Sequence, residues 1–130
     1  MNILVCYDET DASQEALKVG VQHAKAFDAK VFVITSTIGG SKDNIGDNKK
    51  AESGLKHAKA VFEKEGITCE THLLVRGLSS GEDIIQYASE NNVDEIVIGI
   101  KKTSKVGKLV FGSTAQHVIL ESECPVITVR

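Results

Sequence analysis

Short runs of continuous apolar residues alternate along this chain with longer segments in which apolar residues recur at helical spacing. That alternation leaves few folds open. The first run, Ile3-Leu4-Val5-Cys6-Tyr7, ends at Asp8 and is apolar on successive residues, so a strand built from it is hydrophobic on both faces. A central strand of a parallel sheet needs that property. From Asp11 the spacing turns helical through Ala12, Ala16, Val19, Gly20, His23 and Phe27, and Asp11 with Gln14 has the form of a capping box. Lys30 to Thr35 follows as a second, largely β-branched strand. The stretch from Gly39 to Asn48 reads as a flexible loop, and Ala51, Leu55, Ala58 and Phe62 as a second helix stopped by Gly66.

Ile67 to Val75 makes a third strand, broken by Gly77, and Ser79 with Glu82 is another capping-box pattern ahead of Ile84, Ile85 and Ala88. Ile96 to Gly99 is a fourth strand, Ala115, Val118 and Ile119 mark a fourth helix, and Pro125 to Val129 is a fifth strand. The only proline opens that strand, where no ladder hydrogen bond need be lost. Strand and helix thus alternate from end to end. With right-handed crossovers this order specifies a single-domain α/β fold, an open five-stranded parallel sheet with helices on both faces, Rossmann-like in class. Ligands of such sheets bind beyond the carboxyl ends of the strands, where strand order reverses, so function is expected after Tyr7, Thr35 and Gly99.

Composition narrows the function. At 130 residues, 42% hydrophobic and 25% charged, the chain suits one globular domain and not a disordered, collagenous or membrane-spanning protein. No apolar run approaches the roughly 20 residues that span a bilayer. Met1-Asn2-Ile3 opens without the basic segment of a signal peptide, so the expected location is cytoplasmic. A net charge of −3 argues against general nucleic-acid binding, yet Lys101, Lys102, Lys105 and Lys108 fall between Gly99 and Gly112 with no acid among them, a local anion site in outline. Cys6, Cys69 and Cys124 are odd in number and lie in or beside apolar runs, which fits small core residues and neither a disulfide framework nor a zinc site. His23, His57, His72 and His117 have no metal-ligand spacing, and no nucleophile, base or carboxylate pair is spaced for catalysis, so turnover is not expected.

Residues 96–113 carry the chemistry. A strand ends in Gly99, a basic loop follows, and Gly112-Ser113 opens a helix. Helix N-terminal amides lack internal partners, glycines let the backbone approach a ligand, and the Ser113 and Thr114 hydroxyls suit phosphate oxygens. The spacing matches neither a P-loop nor the Gly-x-Gly-x-x-Gly of dinucleotide folds. Three plainer accounts stand beside a phosphate cradle: Ser113 with Gln116 is also a capping box, Gly99 simply ends a strand, and lysines in a loop are commonly solvated charge. Asp8 is open in the same way, as a ligand acceptor for ribose hydroxyls or as the residue closing an Asx turn.

Over essentially its whole length the sequence resembles the universal stress protein family. The opening Ile3-Leu4-Val5-Cys6-Tyr7-Asp8, the close Cys124-Pro125-Val126, and the ATP-binding signature Gly-x2-Gly-x9-Gly-(Ser/Thr) at Gly99, Gly112 and Ser113 carry the resemblance. Lys102 replaces the signature's second glycine. Its side chain either obstructs the phosphates or supplies an ammonium in place of the lost backbone contact, and Gly107-Lys108 resembles a variant form of the loop. The resemblance implies the adenine nucleotide alpha hydrolase-like fold. It also implies binding of ATP or another adenine nucleotide, with or without Mg²⁺. Tyr7, Asp8 and Ser36 would then lie around adenine and ribose, Gly99, Lys102 and Lys108 in the loop, and Gly112, Ser113 and Thr114 at the phosphates. It further implies a regulatory homodimer paired through the C-terminal strand and serving a client protein that the residues do not name. The alternatives are a nucleotide-free dimeric interaction module and a slow ATPase with Mg²⁺ held by phosphates and Asp8 or Ser113.

Overall fold

The computed structural model describes residues 1–8, 10–36, 45–75, 78–100 and 112–130. Nine elements alternate in chain order: β1 (Asn2–Cys6), α1 (Asp11–Phe27), β2 (Lys30–Ser36), α2 (Ile45–Lys64), β3 (Cys69–Leu74), α3 (Ser80–Glu90), β4 (Glu95–Gly99), α4 (Ser113–Glu121) and β5 (Val126–Val129). The strands form one parallel sheet in the order β3-β2-β1-β4-β5. The expected fold class is therefore the observed one.

Side-chain alternation divides the core between the two faces. Ile3, Val5 and Tyr7 join a cluster with Leu17 of α1 and Phe62 of α2, while Leu4 and Cys6 join one with Ile84 of α3 and Val118 of α4. Ile3, Leu4 and Val5 are fully buried, which explains why β1 is apolar without interruption. It is the middle strand, covered on both sides. At the sheet's end, by contrast, β5 is an edge strand with every residue partly or fully exposed.

Four local expectations are corrected. The N-cap of α1 is Thr10, whose Oγ1 accepts from Ser13 N at 3.2 Å, and not Asp11. Asp8 accepts from Thr10 N at 3.1 Å and turns the chain one residue early. Second, α2 begins at Ile45, so the last part of the expected Gly39–Asn48 loop is helical. Gly, Asp and Asn are weak helix formers in a helix interior but are tolerated in a first turn, and the rest of that loop lies outside the described residues. Third, β3 is shorter than expected, and Gly77, expected to break it, is likewise outside. Gly66 does end its helix as expected, with φ at 73°. Fourth, Gly112 caps α4, so Ser113 is not the cap of a capping box.

Candidate functional site

β1 and β4 are neighbours, but the helix after β1 packs on one face of the sheet and the helix after β4 on the other. Strand order reverses there, and a crevice lies at the carboxyl end of the sheet. It holds a cleft of about 300 Å³. Tyr7, Asp8 and Ser36 border the cleft on its β1–β2 side; Gly99, Gly112, Ser113 and Thr114 border it on the β4 side. Lys102 and Lys108 lie outside the described residues.

The β1–α1 corner is a closed polar unit. Asp8 Oδ1 accepts from Thr10 N at 3.1 Å, from Thr10 Oγ1 at 2.6 Å and from Ser13 Oγ at 2.5 Å. The first of these bonds is an Asx turn. Thr10 and Ser13 border the cleft too and were not singled out from sequence, although Asp, Thr and Ser at that spacing are the residues that build such a corner. Tyr7 is 4% exposed, with its ring in the core cluster of α1 and α2 and its hydroxyl accepting from Gln14 Nε2 at 2.6 Å. Thr35 Oγ1 donates to the Tyr7 carbonyl at 2.7 Å and ties the ends of β1 and β2 together.

The two signature glycines in the described residues differ in kind. A Cβ on Gly99 would lie 2.6 Å from the Ala12 carbonyl carbon and 2.8 Å from Ser13 N, so the glycine lets α1 close over β4. Backbone cannot rotate away from such a contact. Among the described residues a Cβ on Gly112 would meet nothing within 4 Å. Gly112 has φ −65° and ψ 163°, which any residue adopts, and nothing among the described residues calls for glycine there. It also leaves α4 without a side-chain cap and with no acid in its first turn, whereas Thr10 caps α1 and Ser79 caps α3 and both helices carry early acids. An uncapped, acid-free helix start opening on a cleft, with space where a side chain would stand, fits an anion.

On the opposite wall, Ser36 Oγ donates to Asp83 Oδ2 at 2.8 Å. Asp83, on α3, is 0% exposed and was missed from sequence, because an acid three residues after Ser80 reads as ordinary first-turn charge. Cys6 also lines the cleft; burial, with a smaller push from the Asp8 carboxylate, raises its thiol to about 12. It is a neutral thiol at physiological pH and no nucleophile. Among the described residues no group of three or more His, Cys, Asp or Glu is placed to hold a metal ion, and no helix is long and apolar enough to cross a membrane.

Sheet order, helix placement and cleft together define an open, doubly wound α/β domain with a cleft at the switch point. The profile of the universal stress protein family matches residues 1–130, and the chain belongs to that family. It is 32% identical over 139 residues to a universal stress protein of Methanocaldococcus jannaschii, covering 98% of this chain and 81% of that one. A universal stress protein of Mycolicibacterium smegmatis is also 32% identical, over 129 residues, with 98% and 96% covered. Among solved structures, that of a universal stress protein from Archaeoglobus fulgidus superposes with a TM-score of 0.91 at 38% identity, covering 100% of this chain and 98% of that one. The structure of the universal stress protein from Archaeoglobus fulgidus in complex with dAMP superposes at 0.86 with 34% identity and the same coverage.

Proposed function

We propose that this protein binds an adenine nucleotide (ATP, ADP or AMP) in the cleft and acts as a cytoplasmic stress-response regulator, a homodimer without catalytic turnover. One observation carries the proposal: the α4 N-terminus at Gly112, Ser113 and Thr114 faces the cleft with neither a side-chain cap nor an acid, and the Gly112 Cβ position is open. The relative from Archaeoglobus fulgidus with dAMP supports the ligand class. Phosphates go to the α4 amides and the Ser113 and Thr114 hydroxyls, and the nucleoside crosses β1 toward Asp8 and Ser36. From β4 to β2 is two interstrand spacings, about 9–10 Å, comparable with the phosphate-to-base reach of a mononucleotide. Asp8 then serves the ribose from within its Asx turn, and Mg²⁺ enters only with a triphosphate, held by its oxygens. Pairing of β5 with a second copy covers an edge otherwise open to other chains.

The test is mass spectrometry of the gently denatured protein for co-purified nucleotide, followed by calorimetric titration with AMP, ADP and ATP. Bound adenine nucleotide is the expected result. Absence of both co-purified and titratable nucleotide at millimolar concentration leaves the nucleotide-free interaction module. Lys102→Ala and Lys108→Ala should weaken ATP more than adenosine, since only ATP offers phosphates to an ammonium. If Lys102→Gly instead tightens ATP, the lysine obstructs the cradle.

A further inference from the structure

We infer that Asp83 fixes the proton of the Ser36 hydroxyl and so makes the far wall of the cleft an acceptor that selects a purine bearing a 6-amino group over one bearing a 6-oxo group. The inference rests on the proposed nucleotide site and assigns the base end of it. Ser36 Oγ donates to Asp83 Oδ2 at 2.8 Å, so its single proton is directed away from the cleft. A serine hydroxyl has one O–H and two lone pairs, and with the proton committed only the lone pairs remain for a ligand. Burial makes the commitment firm. Asp83 is 0% exposed on α3, where water does not compete for Ser36, while Ser36 itself is half-buried and borders the cleft.

The neighbouring hydroxyl is committed as well. Thr35 Oγ1 donates to the Tyr7 carbonyl, which leaves Ser36 as the β2 hydroxyl placed to meet the base. With phosphates at α4, the base falls at the β2 end of the cleft, beside Ser36. Adenine presents an N–H there, and hypoxanthine presents a carbonyl oxygen to an oxygen. Asp83 touches no ligand in this arrangement. It is a positioning residue that sets the polarity of Ser36.

The test compares AMP with inosine 5′-monophosphate by calorimetry on the full chain, and the readout is the ratio of their affinities. Wild type should prefer AMP by about tenfold, the size of one hydrogen bond exchanged for an acceptor facing an acceptor. Ser36→Ala removes the acceptor and should bring the ratio near one. Asp83→Asn keeps the volume but offers Ser36 an N–H, so the hydroxyl can turn its proton to the cleft, and the ratio should fall to one or invert. A role confined to folding would lower both affinities and leave the ratio alone. Equal binding of the two nucleotides by wild type, or a wild-type ratio retained in either variant, overturns the inference and leaves nucleotide binding standing. Binding of neither nucleotide by wild type overturns the nucleotide site and this inference with it. If Asp83→Asn does not fold, Ser36→Ala decides alone.

Discussion

Replacing Gly112 by Asp should move stability and affinity in opposite directions. Gly112 occupies the N-cap of α4 in extended backbone, and a Cβ there meets no described atom within 4 Å, so an aspartate is expected to be accommodated without strain. Its carboxylate can accept from the free amides of the first turn. Asp exceeds Gly as an N-cap by a few tenths of a kcal/mol, and a negative charge at a helix N-terminus adds about 0.3–1 kcal/mol, giving about 0.5–1 kcal/mol in all. For a chain of this size that raises Tm by about 2–4 °C. A phosphate at the same amides meets both competition and repulsion. Two unit charges 4 Å apart at an effective dielectric of about 20 repel by about 4 kcal/mol, and solvent at the exposed helix end screens part of that. An affinity loss of about a hundredfold for ATP is expected. Gly112→Ser, which caps without charge, should give a similar small stabilisation and a much smaller loss. Thermal unfolding with and without ATP, together with calorimetric titration, measures both quantities. The assignment of α4 as the phosphate site is refuted if Gly112→Asp folds and binds ATP within twofold of wild type.

The other signature glycine should behave in the reverse manner. Gly99→Ala drives a Cβ to 2.6 Å from the Ala12 backbone, so α1 must shift on β4; about 1–3 kcal/mol of stability and roughly 4–11 °C of Tm should be lost before any ligand is added. An unchanged Tm would show that the helix gives way freely. Thiol labelling should separate the cysteines: Cys124 reacts in the native protein, while Cys6 and Cys69, buried and raised to about 12 and about 11, react only on unfolding. Native-state labelling of Cys6 as fast as Cys124 would mean that the cleft floor opens. Light scattering should report twice 14.0 kDa, and Ile127→Lys on β5 should shift the population to monomer. A wild-type monomer at micromolar concentration refutes pairing through that edge.

Strand positions were legible in the sequence because burial on both faces forces continuous apolar runs, and β1 is the extreme case, with Ile3, Leu4 and Val5 at 0% exposure. Helix starts were harder to read. Asp11-Gln14 and Ser113-Gln116 both have the capping-box pattern, but the caps fall one residue earlier, at Thr10 and Gly112. In the first case the deciding contacts are the Asx turn at Asp8, which precedes the helix, and the bond from Ser13 N to Thr10 Oγ1, signals that start ahead of the Asp11–Gln14 pair. Ser79-Glu82 was read correctly: Ser79 Oγ accepts from Glu82 N at 3.3 Å and donates to Glu82 Oε1 at 2.8 Å, so the whole signal is local.

The same distinction separates what the motif shows of the site from what it does not. Gly99 and Gly112 are equivalent letters of one signature, yet one is held by the backbone of a helix that starts 88 residues earlier, at Asp11, and the other by nothing among the described residues. Spacing identifies both glycines and cannot rank them, because the contact that fixes Gly99 is tertiary. Asp83 is the converse case. It belongs to no motif and reads as first-turn charge on α3, but the sheet brings Ser36 to it from 47 residues away. A buried carboxylate that binds a cleft hydroxyl adds a property the signature does not encode, the direction of a proton. The Gly112 side of the cleft is thus written in the motif, and the Ser36 side in a contact that only the folded chain makes.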